Sequence, residues 1–348
     1  MAIQNDILSS TARARSKKAL DNLFQTVPLL DHIKKAGGVE IINGGQRITR
    51  AAILAEHSNI TQLATGYEAV SSSVADVLRS PEYEWCDFVA PIVITKKEEL
   101  SNRGENAVIS IADSRMKSVI GMLKREWELQ TIRGSSTVLT ELGSLNGVNG
   151  TGAPGGGNAS GWLEELAFGT QGNTVGGLSK TTYASSNWQN QTFDVAAASN
   201  FAGDGLNGMA ELMLQTQIYA PEGSVDLILA SPTSYRLYKN TLQAQERYMP
   251  KETVLDAGRL ALAYNGALMY VENNLGSPSS AAVGADTPSM MFLNSKSMKV
   301  VFDSDANFSM TDFEHKSGYA AREAHMFVRT QIVADHLASL GLLVNAEA

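Results

Sequence analysis

At 348 residues, with 43% hydrophobic and 18% charged side chains, the chain can bury a sizeable core as two domains or as one domain with large excursions. Its formal charge of −8 excludes a surface that binds nucleic acid all over, and its single cysteine, Cys86, excludes both a disulfide framework and a cysteine-rich zinc site. No apolar run reaches the roughly 18 residues of a membrane span, and Met1 opens onto polar AIQND without a signal core, so neither membrane insertion nor secretion is expected.

From Asp6 to about Phe24 the pattern is helical and basic, and Pro28 ends it; a second short helix, LLDHIKKA, stops at Gly37-Gly38. Arg13, Arg15, Lys17, Lys18, Lys34 and Lys35 stand here against Asp6, Asp21 and Asp31, a net of +3, which leaves −11 for the rest of the chain. Too few apolar residues are present for an independent core, so residues 1–45 read as an arm. Its charge is either a solvated face or the site of an anionic partner. Phe24 is its only aromatic residue, so nucleic acid contact would be electrostatic and salt-sensitive and would not use base stacking.

Residues 39–100 read as extended. VEIINGGQRITRAAILAEHSN and EYEWCDFVAPIVIT bracket the polar centre TGYEAVSSSVADVLRSP, which describes a long two-stranded excursion. An isolated ribbon of that length is marginal in water, so it needs a neighbouring chain to lie on. Asn106–Arg133 then predicts one long amphipathic helix. Val108, Ile109, Ala112, Met116, Val119, Ile120, Leu123 and Trp127 recur at spacings of three and four, and Ile111, Met122 and Leu129 widen the stripe beyond a coiled-coil seam. Such a face suits a sheet, and Gly134 supplies the stop.

Between Gly143 and Gly177 the chain is glycine-rich loop interrupted by WLEELAF. From Gly203 it alternates: helix GDGLNGMAELMLQTQIYA, buried strand VDLILAS, helix TSYRLYKNTLQAQERY, then LALAYNGALMYVENN, a linker over 276–289, MMFLN and SMKVVFD. The C-terminal FEHKSGYAAREAHMFVRTQIVADHLASLGLLV predicts two or three strands returning to the long helix. The fold class is α+β.

The motifs of catalysis all fall short. Gly150, Gly152 and Gly155 match GxGxxG but lack the preceding strand and following helix that would place free amides on a phosphate. GNTVGGLSKT resembles a phosphate loop with Leu178 where the lysine must stand. Asp303, Asp305, Asn307 and Glu314 occupy calcium-loop positions 1, 3, 5 and 12, but Phe308 replaces the turn glycine, so an ordinary turn between strands is the plainer reading. His32, His57, His315, His325 and His336 form no i, i+4 pair, no GxSxG elbow occurs, and Cys86 beside Trp85 reads as a buried structural thiol. No catalytic residue, metal or cofactor is expected.

The order of elements, together with EYEWCDFVAPIVI leading into the long helix, GGLSKTTYASSNWQNQ, and VDLILASPTSYRLYKNTLQAQERY with the later MFLNSKSMKVVFD, resembles the major capsid protein of tailed bacteriophages. This is the Hong Kong 97 type fold shared with encapsulins. The resemblance implies an arm over 1–45, an extended loop over 46–97 lying on a neighbouring subunit, and an axial α/β domain over 200–302. It also implies a discontinuous peripheral domain, 98–199 and 303–348, built on a spine helix over 106–133 with Met116, Val119, Ile120, Leu123 and Trp127 in its core. It places Arg13, Arg15, Lys17 and Lys18 on the inner face of the shell. Arg47, Arg50, Glu56, Glu68, Asp76 and Arg79 become candidates for inter-subunit contacts.

The implied function is self-assembly, as hexamers and pentamers, into an icosahedral virion shell in the cytoplasm of a host bacterium. Implied partners are non-specific packaged double-stranded DNA, separate scaffold and portal proteins and a decoration protein. Some relatives weld the loop through a lysine joined to asparagine; no lysine lies between Lys35 and Lys96, so no such cross-link is expected from this loop. The rivals are an encapsulin-like cage around enzyme cargo and a soluble α/β enzyme using residues 200–302.

Overall fold

The computed structural model describes residues 28–54, 77–101, 105–133, 174–180, 188–195, 201–220, 223–243, 260–273 and 288–346, with a few shorter pieces between. Helix Pro28–Lys35 is followed by β1 (Val39–Ile42), β2 (Arg47–Thr49), β3 (Ala52–Ile53), β4 (Leu78–Arg79), β5 (Glu82–Glu84) and β6 (Cys86–Thr95). A short helix Lys96–Ser101 precedes the long helix Glu105–Arg133. Then come β7 (Thr174–Val175), β8 (Leu178–Ser179), β9 (Gln191–Asp194), a π-helical turn Phe201–Gly205 running into helix Leu206–Ile218, β10 (Leu227–Ala230) and helix Pro232–Gln243. The remaining strands are β11 (Thr253–Val254), β12 (Leu260–Tyr264), β13 (Ala267–Val271), β14 (Pro288–Leu293), β15 (Met298–Asp303), β16 (Ser309–Met310), β17 (Glu314–His315), β18 (Ala321–Ala334) and β19 (Gly341–Val344). No described helix is long and apolar enough to cross a membrane.

Two sheets carry the fold. In the six-stranded sheet the 14-residue β18 is central: β6 pairs with it over residues 321–330, and β17, β16 and β15 follow one another along its other side. β1 joins the outer edge of β15 in parallel. Alternation decides which face is dry. Phe88, Ile92 and Ile94 of β6 stand beside Ala324, Met326 and Val328 of β18, all buried, whereas Asp87, Val89 and Pro91 on the other face are exposed.

The long helix lies across this buried face, with Leu123 and Trp127 around a small apolar cavity closed by Phe88, Phe308 and Val328. Met116, Ile120 and Trp127 are 3%, 9% and 3% exposed, and Val119 and Leu123 pack partly buried against the same core. Met122, counted by spacing as part of the stripe, is 70% exposed. At about 100° per residue it sits some 200° round the helix from Ile120, on the opposite side. The side chains of Val108, Ile109, Ile111 and Ala112 lie outside the described residues.

The seven-stranded sheet runs β11-β12-β13-β10-β14-β19-β9, with β10/β13 and β19/β9 parallel and the other pairs antiparallel. Ile228 and Ala230 turn to one face, under helices 206–218 and 232–243; Leu227 and Leu229 turn to the other, into the core shared with the six-stranded sheet. Helix 206–218 sits close on its strands, since a Cβ at Gly208 would lie 2.5 Å from the Phe193 ring and 2.9 Å from Leu343.

Strand partnership departs from sequence order in two places. β15, grouped by sequence with the α/β segment, pairs with β1 and β18 in the other sheet. β19, expected beside the long helix, lies between β14 and β9 in the seven-stranded sheet. Between β14 and β19 the chain therefore changes sheet twice, through the turns at 294–297 and 335–340. Both moves follow from burial: β19 is buried at all four residues and takes an interior place in the sheet, between β14 and β9, while β15 buries Met298, Val300 and Phe302 on one face, carries the half-buried Lys299 on the other, and takes an interior place between β1 and β18.

Candidate functional site

The candidate assembly region begins where the 46–97 excursion leaves the six-stranded sheet. Its root is a ribbon of two short antiparallel ladders, β2 with β5 and β3 with β4. Tyr83 anchors the root: its side chain is fully buried and its hydroxyl donates to the Ala334 carbonyl at 3.1 Å. Gln331 Nε2 donates to the Glu84 carbonyl at 2.5 Å, and Trp85 Nε1 donates to the Gly45 carbonyl at 3.0 Å. The Arg329 guanidinium lies 5.5 Å from the Trp85 ring centre.

Charged residues complete the root. Arg47 reaches Glu82 at 2.9 Å and Glu84 at 3.2 Å, one directly across the ladder and one diagonal to it. Arg50 donates to Glu40 at 2.5 Å and stands 3.7 Å from Asp335; Lys299 bridges the same two carboxylates at 3.2 and 2.9 Å. Four side chains from the ribbon, β1, β15 and the end of β18 thus alternate in sign. Burial pushes the Glu40 carboxyl up, but hydrogen bonds from Arg50 and Lys299 outweigh it and hold the pKa below the ordinary value. The hydrogen bond to Asp335 raises Lys299, with burial acting against it and Glu40 adding to it.

A second segment supports the ribbon from below. β7 and β8 form a hairpin whose two turn residues, Gly176 and Gly177, have φ of 56° and 75°, the type I′ geometry that GG permits. Glu82 N–H donates to the Gly176 carbonyl at 2.9 Å, and Arg79 Nε donates to the Tyr183 hydroxyl at 3.3 Å. The stretch GNTVGGLSKT is therefore a hairpin against the ribbon. Beyond the root, Ile53 and Leu78 face each other across β3 and β4, 74% and 57% exposed.

Of the charged candidates named from sequence, Arg47, Arg50 and Arg79 are brought together at the root with partners in their own chain. Glu56, Glu68 and Asp76 lie outside the described residues, as do Arg13, Arg15, Lys17 and Lys18, the GxGxxG segment and WLEELAF. Sequence reasoning missed Glu40, Lys299 and Asp335, three residues of the charge cluster. Each is 36 or more residues from the next in the chain, and no local spacing links them.

The calcium-like segment folds as a turn. Asp303 Oδ1 accepts from the Asp305 N–H at 3.1 Å, Arg329 stands 3.6 Å from Asp303, and Phe308, at φ 52°, tucks its ring into the core. Glu314 is out on β17, exposed. Among the described residues no three His, Cys, Asp or Glu side chains gather as a metal site. Cys86 is a buried thiol outside any disulfide.

The sequence matches no family profile and no curated protein. Solved structures do match. The cyanophage A-1(L) capsid subunit superposes with a TM-score of 0.57 at 12% identity, covering 91% of this chain and 93% of that one. The capsid of an empty GTA particle gives 0.53 at 11% identity, over 89% and 88%, and that of Mycobacterium phage Ogopogo 0.52 at 9% identity, over 90% and 91%. At these identities what is shared is the path of the backbone, over about nine tenths of the chain: the chain has the phage capsid fold.

Proposed function

We propose that this chain is the major coat subunit of a tailed double-stranded DNA bacteriophage, assembling as hexamers and pentamers into an icosahedral head and doing no chemistry of its own. The observation that carries the reading is coverage: about nine tenths of this chain and about nine tenths of the cyanophage capsid subunit superpose, so no large additional domain is left over for another activity. The subunit's parts then take the roles expected of them. Residues 46–97 lie over a neighbour, the helix 106–133 is the spine of a peripheral domain, and 200–302 form the axial domain. The basic arm faces packaged DNA or a scaffold, with portal and decoration proteins as further partners. The exposed Ile53/Leu78 pair supports the loop's role, since an apolar cross-strand pair in water gains by burial against a second copy.

Purified protein examined by size exclusion and negative-stain microscopy should give shells, capsomer rings or sheets. Particles should carry nuclease-resistant DNA when produced during infection. Shells filled with a co-purifying enzyme would replace this reading with that of a cargo cage, and a stable monomer that binds a small ligand would overturn both.

A further inference from the structure

Helix Pro28–Lys35 precedes β1 and so belongs by sequence to the six-stranded sheet, yet its imidazole is tied to the other sheet. Leu29, Leu30 and Ile33 are buried in the shared core, and His32 Nε2 lies 2.9 Å from Asp226 Oδ2. Asp226 is itself woven into the seven-stranded sheet: its N–H donates to the Leu293 carbonyl and its carbonyl accepts from the Leu268 N–H. Its carboxylate also accepts from the Ser295 N–H at 2.9 Å and from the Ser295 hydroxyl.

Ser295 sits in the turn by which the chain leaves β14 in one sheet and enters β15 in the other. Gly38, just past the helix, presses on the same turn: a Cβ there would lie 2.7 Å from Ile33 Cγ2, 3.0 Å from the Met298 carbonyl and 3.1 Å from that of Ser295. One carboxylate thus holds the rim of the seven-stranded sheet, the crossover between the sheets, and the arm helix. Of the other charged residues of the helix and the turn whose side chains are described, Lys34, Lys35 and Lys296 are exposed.

We propose that helix 28–35 is a latch across the junction of the two sheets, closed by the His32–Asp226 contact, and that its opening frees the sheets to change their relative orientation. Its use during shell assembly rests on the coat-protein reading; the latch itself does not. Among its described side chains the helix offers three buried aliphatic ones against the backbone entropy of ordering eight residues, so a charge-assisted hydrogen bond is a deciding share of its docking. A helix in that balance opens locally while both sheets stay folded.

The test is hydrogen exchange by mass spectrometry on the full-length, unassembled chain, with His32→Leu, which keeps the bulk but cannot donate, and His32→Gln, which can. His32→Leu should speed exchange over 29–38 by about tenfold or more, the factor that loss of one such hydrogen bond gives, while β18 keeps its protection. His32→Gln should restore most of the difference. Asp226→Ala provides the reciprocal variant, and spin labels on β18 and on helix 232–243 should show a broader distance distribution wherever exchange has risen. Unchanged exchange over 29–38 in His32→Leu, or acceleration spread equally over both sheets, would overturn the latch. Neither result depends on shells forming, so a failure here is distinct from a failure of the coat-protein reading.

Discussion

A methyl group added at Gly176 would meet the Pro81 Cβ at 2.7 Å and the Tyr83 ring at 3.2 Å, in a residue whose φ of 56° already disfavours any side chain. Gly176→Ala should therefore cost about 1–3 kcal/mol, read as a lower midpoint in denaturant, because strain and overlap outweigh the entropy gained by removing a glycine. A variant as stable as the parent would mean that the hairpin does not press on the ribbon. His336 makes a different prediction. Burial holds its imidazole below the ordinary pKa, and its Nδ1 has no hydrogen-bond partner. The unfolded chain then binds the proton more readily than the folded one. Stability from this site is complete above the unfolded value near 6.5 and falls as the pH drops through it toward the lowered folded value. Denaturation midpoints should fall between pH 7 and pH 5.5, and His336→Gln should flatten that slope; an identical slope in the variant would remove His336 as its source.

At the level of elements, the long helix concentrates the packing energy. Trp127→Ala should cost about 3–5 kcal/mol, and Leu123→Asp, which places a charge over Phe88 and Val328, should leave no folded protein. Met122→Lys, on the opposite side, should change stability by no more than about 0.5 kcal/mol. Circular dichroism melts of the three variants would separate them, and folded Leu123→Asp protein would contradict the packing described. The helix was legible because 3.6-residue periodicity is a local property of the sequence, and Met122 was misplaced because counting apolar residues near a stripe ignores the angle each one makes. The Asn265-Gly266 hairpin, with φ of 49° and 91°, follows from local turn chemistry in the same way. Which sheet receives β15 and β19 was not legible. That choice is made by burial against partners distant in the chain, β1 for β15 and β9 for β19, as is the gathering of Lys299 and Asp335 onto Arg50 and Glu40.

For the whole molecule, the proposed coat function would depend on what the surface offers to other copies. A charged substitution near Ser72 should leave folding intact and weaken only the shell, whereas Leu123→Asp removes both. Denaturing gels of purified particles should show a single band near the 37.3 kDa of the chain, since the excursion carries no lysine between Lys35 and Lys96; a covalent ladder involving residues 46–97 would overturn this. The site was legible only as an order of elements, because contacts between copies leave no fixed spacing within one sequence. The position of β18 and β19 has a consequence for how the chain is made. β18 is the strand on which β6, β15, β16 and β17 all pair, and β19 joins β14 to β9. The six-stranded sheet has no centre until residues 321–334 have left the ribosome, and β9 cannot join the seven-stranded sheet until residues 341–344 follow, so folding waits on late, long-range pairing and is slow for the size of the chain. Subunits broken off before residue 321 would lack the centre of the six-stranded sheet and the strand that joins β9 to the other, and should appear as protease-sensitive, aggregating fragments in pulse-chase experiments. β18 and β19 thus act as a checkpoint on synthesis, admitting to the pool of folded protein only polypeptides extended past residue 344.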